Sequence, residues 1–130
     1  MSNDRETIDA QGAPAAIGPY SHAVRVGSLL FCSGQIPLDP ASGELVGETA
    51  AEQAGQCLKN LTAVCETAGA SLVDAVRLTV YMTDLSEFAE VGEIYAKFFS
   101  DAPPARVAVG VAALPRGAQV EIDAIVALKN

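Results

Sequence analysis

The stretch Thr49 to Thr83, TAAEQAGQCLKNLTAVCETAGASLVDAVRLTVYMT, decides the fold class, because its hydrophobic period changes partway along. In its first part Ala54, Leu58, Leu61, Cys65 and Ala68 recur at helical spacing. Thr49 followed by Glu52 forms a capping box at the start, and Gly69 supplies a left-handed stop. From Val76 the period becomes two. Val76, Leu78, Val80 and Met82 alternate with Arg77, Thr79, Tyr81 and Thr83, the pattern of a strand with one buried face.

Downstream the same alternation of periods repeats. A second helix is expected, capped near Asp84 or Ser86, with Phe88, Val91, Ile94, Tyr95 and Phe98 as its apolar stripe and Ser100 to Pro104 as its stop. Arg106 to Ala112 and Gln119 to Leu128 read as strands, and LPRGA, Leu114 to Ala118, reads as the turn of a simple hairpin between them. Upstream, His22 to Val26 and Leu29 to Ser33 are short strands joined by a two-residue turn at Gly27-Ser28, a register that pairs His22 with Ser33. Gly34 to Gly47 is a loop with a brief strand at Glu44 to Val46. Residues 1–12 are polar and read as a flexible lead-in, so the single domain is expected over 13–130. The order ββαβαββ predicts an α+β fold, a mixed sheet with both helices on one face.

Composition limits the function classes. The net charge of −8 over 130 residues repels phosphate backbones and anionic membrane surfaces, which disfavours nucleic acid as a partner. No apolar run approaches the roughly 20 residues of a membrane span, and MSNDRETIDA has no hydrophobic signal core, so a cytoplasmic protein is expected. Cys32, Cys57 and Cys65 form no CxxC, and the chain has a single histidine; reduced thiols and no zinc site are expected.

Several residues are candidates for chemistry. Arg106 opens an otherwise uncharged strand just after Pro103-Pro104, where its planar fork can grip a carboxylate bidentately; a surface arginine, or one paired to a structural Asp, is the plain alternative. Glu121, in QVEID with Asp123 on the same strand face, is a candidate acid or base, against the plain reading of a solvated strand face. In a simple hairpin Glu121 lies opposite about Val111, roughly 17 Å along the strand from Arg106, so the two share a site only across a subunit boundary. Tyr20 in GPYS and Ser33-Gly34 place hydroxyls and permissive backbone at loop edges. His22 opposite Ser33 resembles the beginning of a serine nucleophile, but no GxSxG elbow or orienting carboxylate accompanies it.

Four ordered segments, APAAIGPYSHAV, FCSGQIPLDPASGELVG, RLTVYMTDLSEFAEVGEIYAKFF and PPARVAVGVAALPRGAQVEIDAIVAL, together resemble the RidA/YjgF family of enamine and imine deaminases over about residues 13–128. The resemblance implies a fold like the chorismate mutase of bacilli, a homotrimer with clefts between subunits, and hydrolysis of 2-imino acids to 2-keto acids and ammonia. It implies that Arg106 binds the substrate carboxylate, that Tyr20, Ser33 and Gly34 line the cleft, and that Glu121 positions the water. A main-chain carbonyl near Ala108 is a further candidate for holding that water. No metal or organic cofactor is implied, since a protonated imine is already electrophilic. The chain departs from the family pattern at Gly92, where Asn is frequent, and at Ala108, where Cys is frequent; both changes bear on substrate preference. A chaperone-like or ligand-sensing trimer that binds small carboxylates without turning them over is the alternative, and a ribonuclease or translation inhibitor is a weaker third reading.

Overall fold

The computed structural model describes residues 4–99 and 101–129. Its strands are β1 (Arg5–Ile8), β2 (Ala23–Val26), β3 (Leu29–Gln35), β4 (Ala75–Met82), β5 (Ala105–Gly110) and β6 (Val120–Ala127); its helices are α1 (Ala50–Thr67) and α2 (Phe88–Phe98). The six strands form one mixed sheet in the order β1-β2-β3-β6-β4-β5. The α+β reading therefore holds.

Local signals act where the sequence places them. The Thr49 side chain accepts from Glu52 N at 3.1 Å while Glu52 Oε1 accepts from Thr49 N at 3.1 Å, which satisfies amides at the α1 start that the helix itself leaves free. Gly69 ends that helix at φ +75°. Leu58, Leu61, Val64 and Cys65 are fully buried against Leu78, Val80, Ile122 and Val126, the helix-facing side of β4 and β6. Val76, expected on that buried face, is 48% exposed, because a register shift between Ala75 and Arg77 turns it outward. The β2–β3 hairpin has the expected register, with Ser33 N donating to His22 O at 2.9 Å. In the loop after β3, the brief strand shrinks to one bridge between Leu38 and Leu45. Asp84 caps a single 3₁₀ turn that leads into α2, and Ser100, part of the expected stop, lies outside the described residues.

Two expectations are corrected. The lead-in is not irregular throughout: Arg5–Ile8 is an edge strand paired antiparallel with β2, held by main-chain bonds and by the buried Ile8. The LPRGA segment does not close a hairpin either. β5 pairs with β4 in parallel, while β6 lies between β3 and β4 and is antiparallel to both. A β4-α2-β5 crossover sets β5 beside β4. Val120, Ile122, Ala124 and Val126 are all buried, so β6 takes the central position and the more exposed β5 takes the edge.

This topology sorts the site residues by face. Register aligns Arg106 with Leu78 and Ala124, both on the helix side. Glu121 aligns with Tyr81 and Val109 on the opposite, open side. Two strand spacings and three rows put the Arg106 and Glu121 Cα atoms roughly 14 Å apart. The simple hairpin is thus overturned, and within one chain the Arg106 and Glu121 side chains leave opposite faces of the sheet.

Candidate active site

A cleft of about 550 Å³ opens at the end of the open face. The structure brings Tyr20, Ser33, Gly34 and Glu121 together along it, with Arg116, which the sequence did not single out. Arg106 and Ala108 are not among its lining residues. They sit on the helix-facing side of β5, in the rows of Leu78 and Val80.

Glu121 gains its position from the glycine opposite. Where β3 shifts register between Cys32 and Gln35, Gly34 presents bare backbone, and a Cβ there would overlap Glu121 Oε2 and stand 3.0 Å from Cδ. The carboxylate thus lies over the glycine. Burial, and then the charge of Asp123, push the Glu121 carboxyl above the usual carboxylate range, the direction that suits a group taking up and returning a proton. Asp123 is itself engaged, accepting from Tyr81 Oη at 2.8 Å.

The wall carrying Tyr20 is held by the lone histidine. His22, 2% exposed, accepts from Ala10 N through Nδ1 at 2.8 Å, and its Nε2 donates to Pro14 O at 2.8 Å. Both ring nitrogens are thereby occupied by main chain. Ser33 Oγ donates to Ser21 O at 2.6 Å. His22 and Ser33 are neighbours through main chain only, so no nucleophile pair forms. Ser33 keeps its lone pairs for a ligand, while Tyr20 stands 49% exposed at the rim.

The opposite wall is anchored from α1. Buried Asn60 donates through Nδ2 to Ile36 O at 3.2 Å and to Leu38 O at 3.0 Å, and Gln53 Oε1 accepts from Gln119 N at 2.7 Å just before β6. Both residues escaped the sequence reading. Their one available signal was an amide on an otherwise apolar helix face, where a polar group must find partners.

Arg106 rests on aromatic rings, its guanidinium 4.7 Å from the Phe88 centroid and 5.5 Å from that of Tyr95. Stacking orients the fork without consuming its donors. Among the described residues no carboxylate pairs with Arg106. A Cβ at nearby Gly92 would meet nothing within 4 Å. The three cysteines are free and buried, and Cys32, hydrogen-bonded to Cys65 and desolvated, is held above the ordinary thiol range. Among the described residues no group of three or more His, Cys, Asp or Glu is arranged to hold a metal ion, and no helix is long and apolar enough to cross a membrane.

Known proteins share this fold and these segments. The family model described as Endoribonuclease L-PSP matches residues 10–128. A RutC family protein of Sinorhizobium fredii is 52% identical, covering 95% of this chain and 98% of its own length. The mouse protein named 2-iminobutanoate/2-iminopropanoate deaminase is 49% identical, with 93% of this chain and 90% of its own covered. The crystal structure of Escherichia coli TdcF with bound serine superposes with a TM-score of 0.90 at 40% identity, covering 95% of this chain and 99% of that one. The chain belongs to the RidA/YjgF family.

Proposed function

We propose that the protein is an enamine/imine deaminase that hydrolyses 2-imino acids such as 2-iminopropanoate and 2-iminobutanoate to 2-keto acids and ammonia. The observation that carries this reading is the Glu121 carboxylate, seated over Gly34 in a cleft with Tyr20 and Ser33 and pushed toward protonation by burial. The relative named for this activity supports it.

In this mechanism the substrate carboxylate docks on Arg106 and water adds to the carbon of the protonated imine. Glu121 takes a proton from the water as the C–O bond forms, giving a carbinolamine. It then returns the proton to the nitrogen, and as the C–N bond breaks the hydroxyl proton passes to Glu121 and on to the departing ammonia, so that keto acid and ammonium leave. Positioned acid-base catalysis of this kind contributes about 10²- to 10⁴-fold. The protonated imine carbon is the electrophile and water the nucleophile, and each step uses only groups of the chain and the substrate.

Arg106 and Glu121 face opposite sides of one sheet, so the active unit is an oligomer, a homotrimer in this reading, in which Arg106 of one subunit completes the cleft of the next. Two features support association. The open face presents Val26 and Phe31, both 44% exposed, and Val107, 39% exposed, and β5 leaves one edge of the sheet unpaired among the described residues.

The test is hydrolysis of imines released by an amino-acid oxidase. Arg106→Ala should lose on the order of 10- to 100-fold in kcat/KM, the worth of a charge-assisted anchor. Undiminished hydrolysis would remove Arg106 from the mechanism.

A second reading is a carboxylate-binding protein without turnover, favoured by the serine held in TdcF, since serine is not an imine. Keto-acid binding with no hydrolysis of any imine would select it. The ribonuclease reading is weakened further, because His22, the lone histidine, spends both ring nitrogens on main chain and is not free to serve as a base.

A further inference from the structure

Arg116 is the one charged group in the cleft to which the imine chemistry gives no task. It lies in the connection from β5 to β6 at φ 61° and ψ 17°, the one non-glycine residue with positive φ among the described residues. Left-handed backbone at a branched, bulky or long side chain carries strain that glycine would avoid, and such strain collects at ligand sites. Here it delivers a guanidinium to the cleft wall beside Pro115.

That guanidinium is loosely held. Nη2 donates to Gly43 O at 3.3 Å and stands 3.9 Å from Glu44 Oε2, with the Arg116 side chain 45% exposed and that of Glu44 76% exposed. Exposed pairs of this kind are worth little, so an incoming anion can take the place of Glu44. In a single chain the cleft's 550 Å³ falls in the range that holds drug-sized ligands, before a neighbouring subunit narrows it. Ile17, Ile36 and Leu38 make much of the remaining wall apolar, and Arg116 is the cationic group on it able to receive the far end of a longer ligand.

We propose that Arg116 is a specificity-determining residue that binds a second carboxylate, at the end of the ligand's side chain, so that the cleft prefers dicarboxylic imino and keto acids to monocarboxylic ones. This rests on the small-carboxylate reading of the site and adds the ligand class. A planar guanidinium receives a carboxylate through two parallel hydrogen bonds, which an ammonium cannot reproduce.

Binding, measured without turnover, separates this proposal from the deaminase reading. Calorimetric titration of 2-oxoglutarate and 2-oxobutanoate into wild type, Arg116→Lys and Arg116→Gly gives a preference ratio for each protein. Wild type should favour 2-oxoglutarate by about tenfold or more, Arg116→Lys should keep part of that ratio, and Arg116→Gly should bring it near one. Arg116→Gly relieves the left-handed backbone, so an unchanged or raised Tm shows that the fold is intact. Equal affinities in wild type, or a preference that persists in Arg116→Gly, would overturn the proposal. Because no imine is hydrolysed in these titrations, a protein inactive on every imine can still show the preference.

Discussion

Replacing Gly34 with alanine asks whether packing alone places Glu121. The new Cβ would overlap Glu121 Oε2 and stand 3.0 Å from Cδ and 3.2 Å from Cγ. All three atoms belong to one flexible side chain, so the backbone holds and the carboxylate moves. Swinging Glu121 off its rotamer costs roughly 0.5–1.5 kcal/mol, a small part of the 5–15 kcal/mol typical of a domain. The kinetic effect is far larger, because displacing a base by an ångström or more forfeits most of its contribution of about 10²- to 10⁴-fold. Gly34→Ala should therefore lose about 100-fold or more in kcat/KM, in the oxidase-coupled imine assay, while its Tm falls by a few degrees at most. If both substitutions act through one carboxylate, Gly34→Ala combined with Glu121→Ala should be no slower than Glu121→Ala alone. Full activity in Gly34→Ala, or losses that multiply in the double variant, would show that packing on Gly34 does not place Glu121.

Glu121→Gln gives a pH signature. Since the folded-state carboxyl titrates above its unfolded value, the native state binds the proton more tightly, and the wild type gains stability as pH falls through the folded value. Glu121→Gln should thus be the more stable protein at neutral pH, with the advantage fading in acid; thermal melts from pH 8 to pH 4 that stay parallel would contradict the burial argument. His22→Ala removes partners from Ala10 N and Pro14 O and leaves a cavity, so it should destabilise by about 2–5 kcal/mol in urea titration. A loss below about 0.5 kcal/mol, the level of a surface substitution, would show that His22 does not hold the Tyr20 wall.

What was legible in the sequence was what short-range chemistry decides. The Thr49 capping box, the Gly69 stop, the Gly27-Ser28 turn and the alternation of Leu78, Val80 and Met82 are each settled by a few neighbouring residues. The place of β6 is settled by non-local competition instead. Four buried side chains on β6 outweigh a local turn signal in LPRGA, and the parallel crossover had already claimed the β4 edge for β5. β1 was hidden because Arg5–Ile8 pairs through main chain and buries only Ile8. At the site, Tyr20, Ser33, Gly34 and Glu121 were identified and do share a cleft. Arg116 was passed over because a left-handed arginine has no mark in composition or spacing, and the division of Arg106 from Glu121 by sheet face required the correct strand order.

The central claim is that Arg106 and Glu121 act together across a subunit boundary. Arg106→Ala and Glu121→Ala chains, each inactive alone, can be unfolded together in equal amounts, refolded and assayed. Random assembly into a ring makes about one site in four from an intact Arg106 and an intact Glu121 on adjacent subunits, so activity should return to about a quarter of wild type. A mixture that refolds into mixed oligomers and stays as inactive as its parents would contradict the account.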